Sequence, residues 1–231
     1  MDIGDGITSI YLVIFAVVVV PLSLYVSFRG LRAPKLSALL SIISICFVFS
    51  YSIALISDIA FYFGLTAIPI LALVVWCVDG SSPILVAAAL PLHMVYTIYS
   101  MFLVQTVTNG YVQFGIPSNT SWVTCLFVAI FLAIATGFFM LYADEEPQRY
   151  MFVASSSTTG IFFGIHYVGA IFSGRLVLTA ADYFKIFALR PWICWPVALV
   201  LTGLAVYTQL ETIPATTAAS TEEIKPLVAE A

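Results

Sequence analysis

Thr8-Ser9-Ile10-Tyr11-Leu12-Val13-Ile14-Phe15-Ala16-Val17-Val18-Val19-Val20-Pro21-Leu22-Ser23-Leu24-Tyr25-Val26-Ser27-Phe28 carries no charge, and Asp5 and Arg29 bracket it. An α-helix needs about 20 apolar residues to cross a hydrocarbon core roughly 30 Å thick. The same charge-free pattern recurs between Lys35 and Asp58, Asp58 and Asp79, Arg149 and Arg175, and Arg190 and Glu211. The interval from Asp79 to Asp144 is longer, and polar residues around Gln105–Ser121 divide it in two. The count is seven. Backbone groups in lipid must pair within the protein, which leaves helices or a closed barrel. Barrel strands alternate apolar and polar residues over about ten positions. These stretches are apolar nearly throughout and about twice that length, so the expected fold is an all-α bundle of seven transmembrane helices.

Composition agrees. The chain has 231 residues, 62% hydrophobic and 9% charged, where a soluble domain has about 25% charged. The expected spans are 8–28, 36–57, 59–78, 84–104, 122–142, 150–172 and 185–210, followed by a disordered tail, 211–231, rich in Thr, Ala and Glu. The acidic opening does not resemble a signal peptide, whose first region is basic. Arg29, Arg32 and Lys35 crowd the first connection, and the positive-inside tendency puts that loop and the C-terminus in the cytoplasm and the N-terminus outside. Asn119-Thr120-Ser121, a glycosylation acceptor pattern, then faces outward. The expected surroundings are the lipid bilayer, with a homo-oligomer or larger membrane complex open as partners. No basic patch invites nucleic acid.

Ionisable side chains at membrane depth are costly, so each one there raises a functional hypothesis. His93 lies near the middle of the fourth span, two residues past Pro91, and His166 lies late in the sixth. The plain reading of each is a neutral ring bonded to a neighbouring helix. Asp182 and Lys185 stand three apart and can pair on one helix face, as an interfacial anchor or part of a polar site. Trp192 and Trp195 suit either an aromatic belt or the wall of a ligand pocket. The four cysteines have no metal-ligand spacing and read as small packing residues. Ser155-Ser156-Ser157-Thr158-Thr159-Gly160 suits close helix contact or a polar conduit. No hydrolase motif, glycine-rich phosphate loop or intramembrane carboxylate pair is present, so an enzyme is not expected.

Thr159-Gly160-Ile161-Phe162-Phe163-Gly164-Ile165-His166-Tyr167 resembles the second-helix segment of proton-pumping microbial rhodopsins, in which a histidine partners the carboxylate counterion. Arg190-Pro191-Trp192-Ile193-Cys194-Trp195 resembles their third-helix stretch, with Cys194 near the carboxylate position. Trp122–Tyr142 would correspond to the first helix, and Thr66-Ala67-Ile68-Pro69 looks like the family's threonine–proline step. The family attaches retinal to a lysine in the middle of its last helix. Here Lys185 lies only at the start of the seventh span, so covalent retinal is not expected and the cofactor stays unknown. The resemblance implies an opsin-like protein acting in ion movement or signalling, with His166, Arg190, Asp182 and Lys185 as a polar cluster. A small-solute transporter or channel centred on Pro69, Pro91 and His93 is the alternative, and a structural subunit of a membrane complex is the third.

Overall fold

The computed structural model describes residues 17–54, 58–78, 80–102, 104–108, 111–114, 119–172, 187 and 190–211. Helices dominate them. α1 covers 17–29 and turns through a 3-10 segment, Gly30–Arg32, into α2, Pro34–Ala54. α3 is Asp58–Cys77, α4 Ser81–Phe102, α5 Asn119–Tyr142, α6 Glu145–Phe172 and α7 Pro191–Glu211. The first half of the expected first span, the connection at 173–184 and the tail from 212 lie outside the described residues.

Helix ends follow from local chemistry. Pro34 and Pro191 open α2 and α7, the position where a missing N–H removes no helix hydrogen bond. Gly80, at a φ of 80°, turns the chain between α3 and α4, a conformation that costs glycine little. Ser81 Oγ donates to Val78 O at 2.8 Å across that turn. Glu145 and Glu146 occupy the first turn of α6, where carboxylates meet the positive end of the helix dipole.

The expected loop between the fourth and fifth spans contains a hairpin. Val104–Thr108 (β1) and Tyr111–Phe114 (β2) pair antiparallel, with Thr108 opposite Tyr111. Asn109 and Gly110 alone separate the strands, and Asn-Gly is the pair most favoured in two-residue hairpin loops.

α4 packs against α2, α5 and α6; α3 packs against α2, and α7 against α6. The buried clusters join Val19 and Val26 of α1 to Leu40, Leu92 and Phe163, and Ile42 of α2 to Val86 and Phe152. What is exposed is as telling as what is buried. On α5, Phe131 is 71% exposed and Phe127, Ile134 and Phe138 line the same outer side; on α7, Trp192 is 90% exposed and Leu199 and Val200 accompany it. Ser23, Ser27, Ser37, Ser41, Ser44 and Ser157 are buried instead. Two helical segments, Thr124–Tyr142 and Pro191–Glu211, are long and apolar enough to cross a membrane. Shorter apolar runs lie at Pro34–Cys46, Ile68–Cys77 and Ser81–Val95.

Candidate functional site

His93 and His166 meet in the middle of the bundle. They are 1% and 0% exposed, and their ring centroids lie 5.3 Å apart at 58°. α4 supplies the first ring and α6 the second. Ser44 of α2 lies 2.6 Å from His93 Nδ1. Thr97 Oγ1, one turn beyond His93, donates to the His93 carbonyl at 2.8 Å and lies 3.3 Å from His166 Nε2. A hydroxyl has one proton to give. With that proton on the carbonyl, Thr97 can only accept from His166, a bond that forms when the ring carries its hydrogen on Nε2. Three helices therefore share one polar chain: Ser44, His93, Thr97, His166.

Aromatic rings enclose the pair. Phe162 and Phe163 of α6 stand edge-on to His93, each at 6.4 Å. Phe187 packs on His166 at 4.5 Å and stacks on Phe162 at 5.1 Å. Trp195 meets Phe162 at 5.4 Å and Phe187 at 5.5 Å. Cys194 is buried in the same cluster.

A second polar centre lies at one end of α7. The buried Gln209 amide bridges to α1: Leu31 N donates to Gln209 Oε1 at 2.9 Å, and Gln209 Nε2 donates to Ser27 O at 2.6 Å. Leu31 N–H and Ser27 C=O are four residues apart and would pair if α1 continued as an α-helix. Where the chain tightens into the 3-10 turn, the side-chain amide takes both. Gln209 Nε2 also lies 2.9 Å from Ser157 Oγ and 3.3 Å from Ser156 Oγ, and Ser157 Oγ donates to Ser27 O at 3.1 Å. The close approach of α1 to α6 depends on Gly160, where a Cβ would come within 2.7 Å of Ser23 O and also meet Ser27 Oγ.

Of the residues the sequence singles out, His93, His166, Cys194 and Trp195 come together. Arg190 and Trp192 do not join them: Arg190 is exposed at the start of α7, its carbonyl accepting from Cys194 N at 2.9 Å. The buried side of α7 is Cys194, Ala198, Ala205 and Gln209, and Trp192 lies two residues from Cys194, about 200° around the helix. Asp182 and Lys185 fall outside the described residues. Sequence reasoning missed Ser44, Thr97 and Gln209. Ser37, Ser41 and Ser44 repeat at helical spacing on one face of α2, and Gln209 is a lone amide late in an apolar helix; both signals were present in the sequence. Among the described residues no group of three or more His, Cys, Asp or Glu is placed to hold a metal ion. No protein-family model matches the chain, and no curated protein or solved structure matches it.

Proposed function

We propose that the chain is a multi-pass integral membrane protein that moves or senses protons through the His93–His166 pair. The inside-out distribution of side chains supports the membrane setting, because lipid favours apolar groups outside and leaves polar groups to pair within. α2 to α7 have 20 to 28 residues each, sufficient for a core that takes about 20. Helix ends also meet as an alternating bundle requires. Lys35 at the start of α2 lies over the Trp76 ring at the end of α3, 5.7 Å from its centroid. Gln209 at the end of α7 reaches the α1–α2 turn. Six helices, an even number, separate those two points, which supports seven crossings. Arg29, Arg32 and Lys35 at this turn favour placing it, with the tail, in the cytoplasm.

The histidine pair carries the functional reading. Imidazole changes charge near neutral pH, and two adjacent rings give one proton two sites. Two charges 5.3 Å apart would repel by roughly 3 kcal/mol at an effective dielectric of about 20, so the pair holds one proton at a time. Ser44 and Thr97 orient the rings. This is compatible with an opsin-like bundle lacking covalent retinal, since α7 contains no lysine. It favours a proton over a larger solute, because His93 is already packed against Ser44, Phe162, Phe163 and His166.

The test is proton flux into proteoliposomes carrying an internal pH dye under an imposed pH gradient. Wild type should conduct, and His166→Phe and His93→Phe should each abolish conduction while remaining folded. Equal flux in both variants, or none in wild type under either polarity of gradient and voltage, would leave the histidines as interhelical bonds of a structural subunit.

A further inference from the structure

The polar side chains are not confined to the two centres, and their order along the helices is informative. Ser37, Ser41 and Ser44 are all buried on one face of α2, and Ser37 to Ser44 spans about 10 Å at 1.5 Å per residue. Ser37 stands at the α1–α2 turn, donating to Gly30 O at 3.1 Å, and Ser44 touches His93. On α6, Ser155, Thr159 and His166 share a face within about 40°, spanning about 16 Å. α2 and α6 approach each other at the α1–α2 turn. A Cβ on Gly30 would lie 2.8 Å from Ser156 Oγ and 2.9 Å from Ser37 Oγ. On α4, Ala89 stands one turn before His93, fully buried and carrying no more than a methyl group.

Ser155 Oγ and Thr159 Oγ1 supply the independent observation. They belong to residues 0% and 1% exposed, and neither oxygen has a hydrogen-bond partner among the described residues. A buried hydroxyl left unpaired costs about 1–3 kcal/mol, and ordered water is the usual remedy where protein groups are not in reach. Both oxygens stand on the His166 face, between the turn and the rings. Phe187 precedes α7 at the end remote from Gln209 and packs on His166 there.

We infer that a file of water molecules runs from the α1–α2 turn along the junction of α2, α4 and α6 to the histidine pair, and that Phe187 and Trp195 close the pair from the opposite end. The inference rests on the bundle reading above and adds direction to it: protons exchange with the pair from one side, and crossing requires the aromatic side to open. Among the described residues, the ionisable groups in the surrounding buried clusters are Tyr167 on α6, Cys194 on α7 and Cys46 on α2. Arg29, Arg32 and Lys35 lie at the mouth, and Glu145, Glu146 and Arg149 at the start of α6.

The experiment is magnetisation transfer from water to assigned side chains by solid-state NMR of the full chain in lipid bilayers. Ser155 and Thr159 should receive water magnetisation several-fold faster than Ala198 and Ala205, both fully buried on α7. Transfer as slow as at those alanines overturns the inference without any variant. In Ser155→Ala/Thr159→Val, transfer to the His166 ring should fall about tenfold, and Thr159→Ser alone should leave it intact; an unchanged rate in the double variant also overturns it. Wet hydroxyls beside rings that never titrate would sustain the water file and remove the proton reading, so the two fail separately.

Discussion

Gln209→Leu replaces the bridging amide with an apolar side chain of similar size. It removes the acceptor for Leu31 N–H and the donor for Ser27 O, bonds of 2.9 and 2.6 Å. The amide has only two hydrogens, so Ser27 O and Ser157 Oγ take its strong bonds and Ser156 Oγ, at 3.3 Å, a shared one. After the change Ser27 O keeps Ser157 Oγ at 3.1 Å. Leu31 N–H is left without its bond. Stranding a part-buried donor costs about 1–2 kcal/mol, the lower part of the buried range, and losing a further net bond about 0.5–1.5, which together give roughly 2–3 kcal/mol. Interhelical bonds within bilayers average only about 0.6 kcal/mol each, and three of them set a floor of roughly 2. Reversible unfolding in bicelles measures the difference, and hydrogen exchange at the Leu31 amide reports its cause. Tyr207→Phe is the control: it removes only an exposed bond to Glu211 on the same helix and should stay within about 0.5 kcal/mol. A Gln209→Leu protein as stable as wild type, with Leu31 still protected, would refute the reasoning.

Gly160→Ala should destabilise by about 1–3 kcal/mol in the same assay, because a methyl group there drives into the α1 backbone; Gly203→Ala, with nothing within 4 Å, should be neutral or stabilising by up to about 1 kcal/mol. Ser44→Ala should cost about 1–3 kcal/mol by leaving His93 Nδ1 without its serine, and the His93 ring resonances should shift. Cysteines placed in the tail and at position 119 should label from opposite sides of the membrane with an impermeant reagent; labelling from the same side would contradict seven crossings.

The helices were legible because charge-free runs of this length have few other outcomes. Pro34 and Pro191 open two of them, although the expected spans begin at 36 and 185. The β1–β2 hairpin was legible too, in Asn109-Gly110 between alternating residues, but its polar side chains read as a loop. The histidine pair was not. Each ring could be named from the cost of burying it, yet nothing in the local sequence states that α4 lies against α6. Arg190 was singled out as a charge at the start of the last span and Trp192 as a belt or pocket residue, and a resemblance joined both to His166; the helical phase of α7 turns Trp192 away from the buried side that holds Cys194 and Gln209. Gln209 escaped notice because a single amide hardly alters the apolar character of its helix, although a side chain that can both donate and accept is what a broken helix end requires.

Titration of the two imidazoles in lipid bilayers, followed by nitrogen-15 NMR of selectively labelled histidine, tests the central claim most directly. With only His93 and His166 in the chain, the spectrum reports the pair alone. The account predicts that the pair takes up one proton as the pH is lowered, with both rings sensing the same step and His166→Phe altering the response of His93. Two rings that remain neutral throughout, each indifferent to loss of the other, would contradict it.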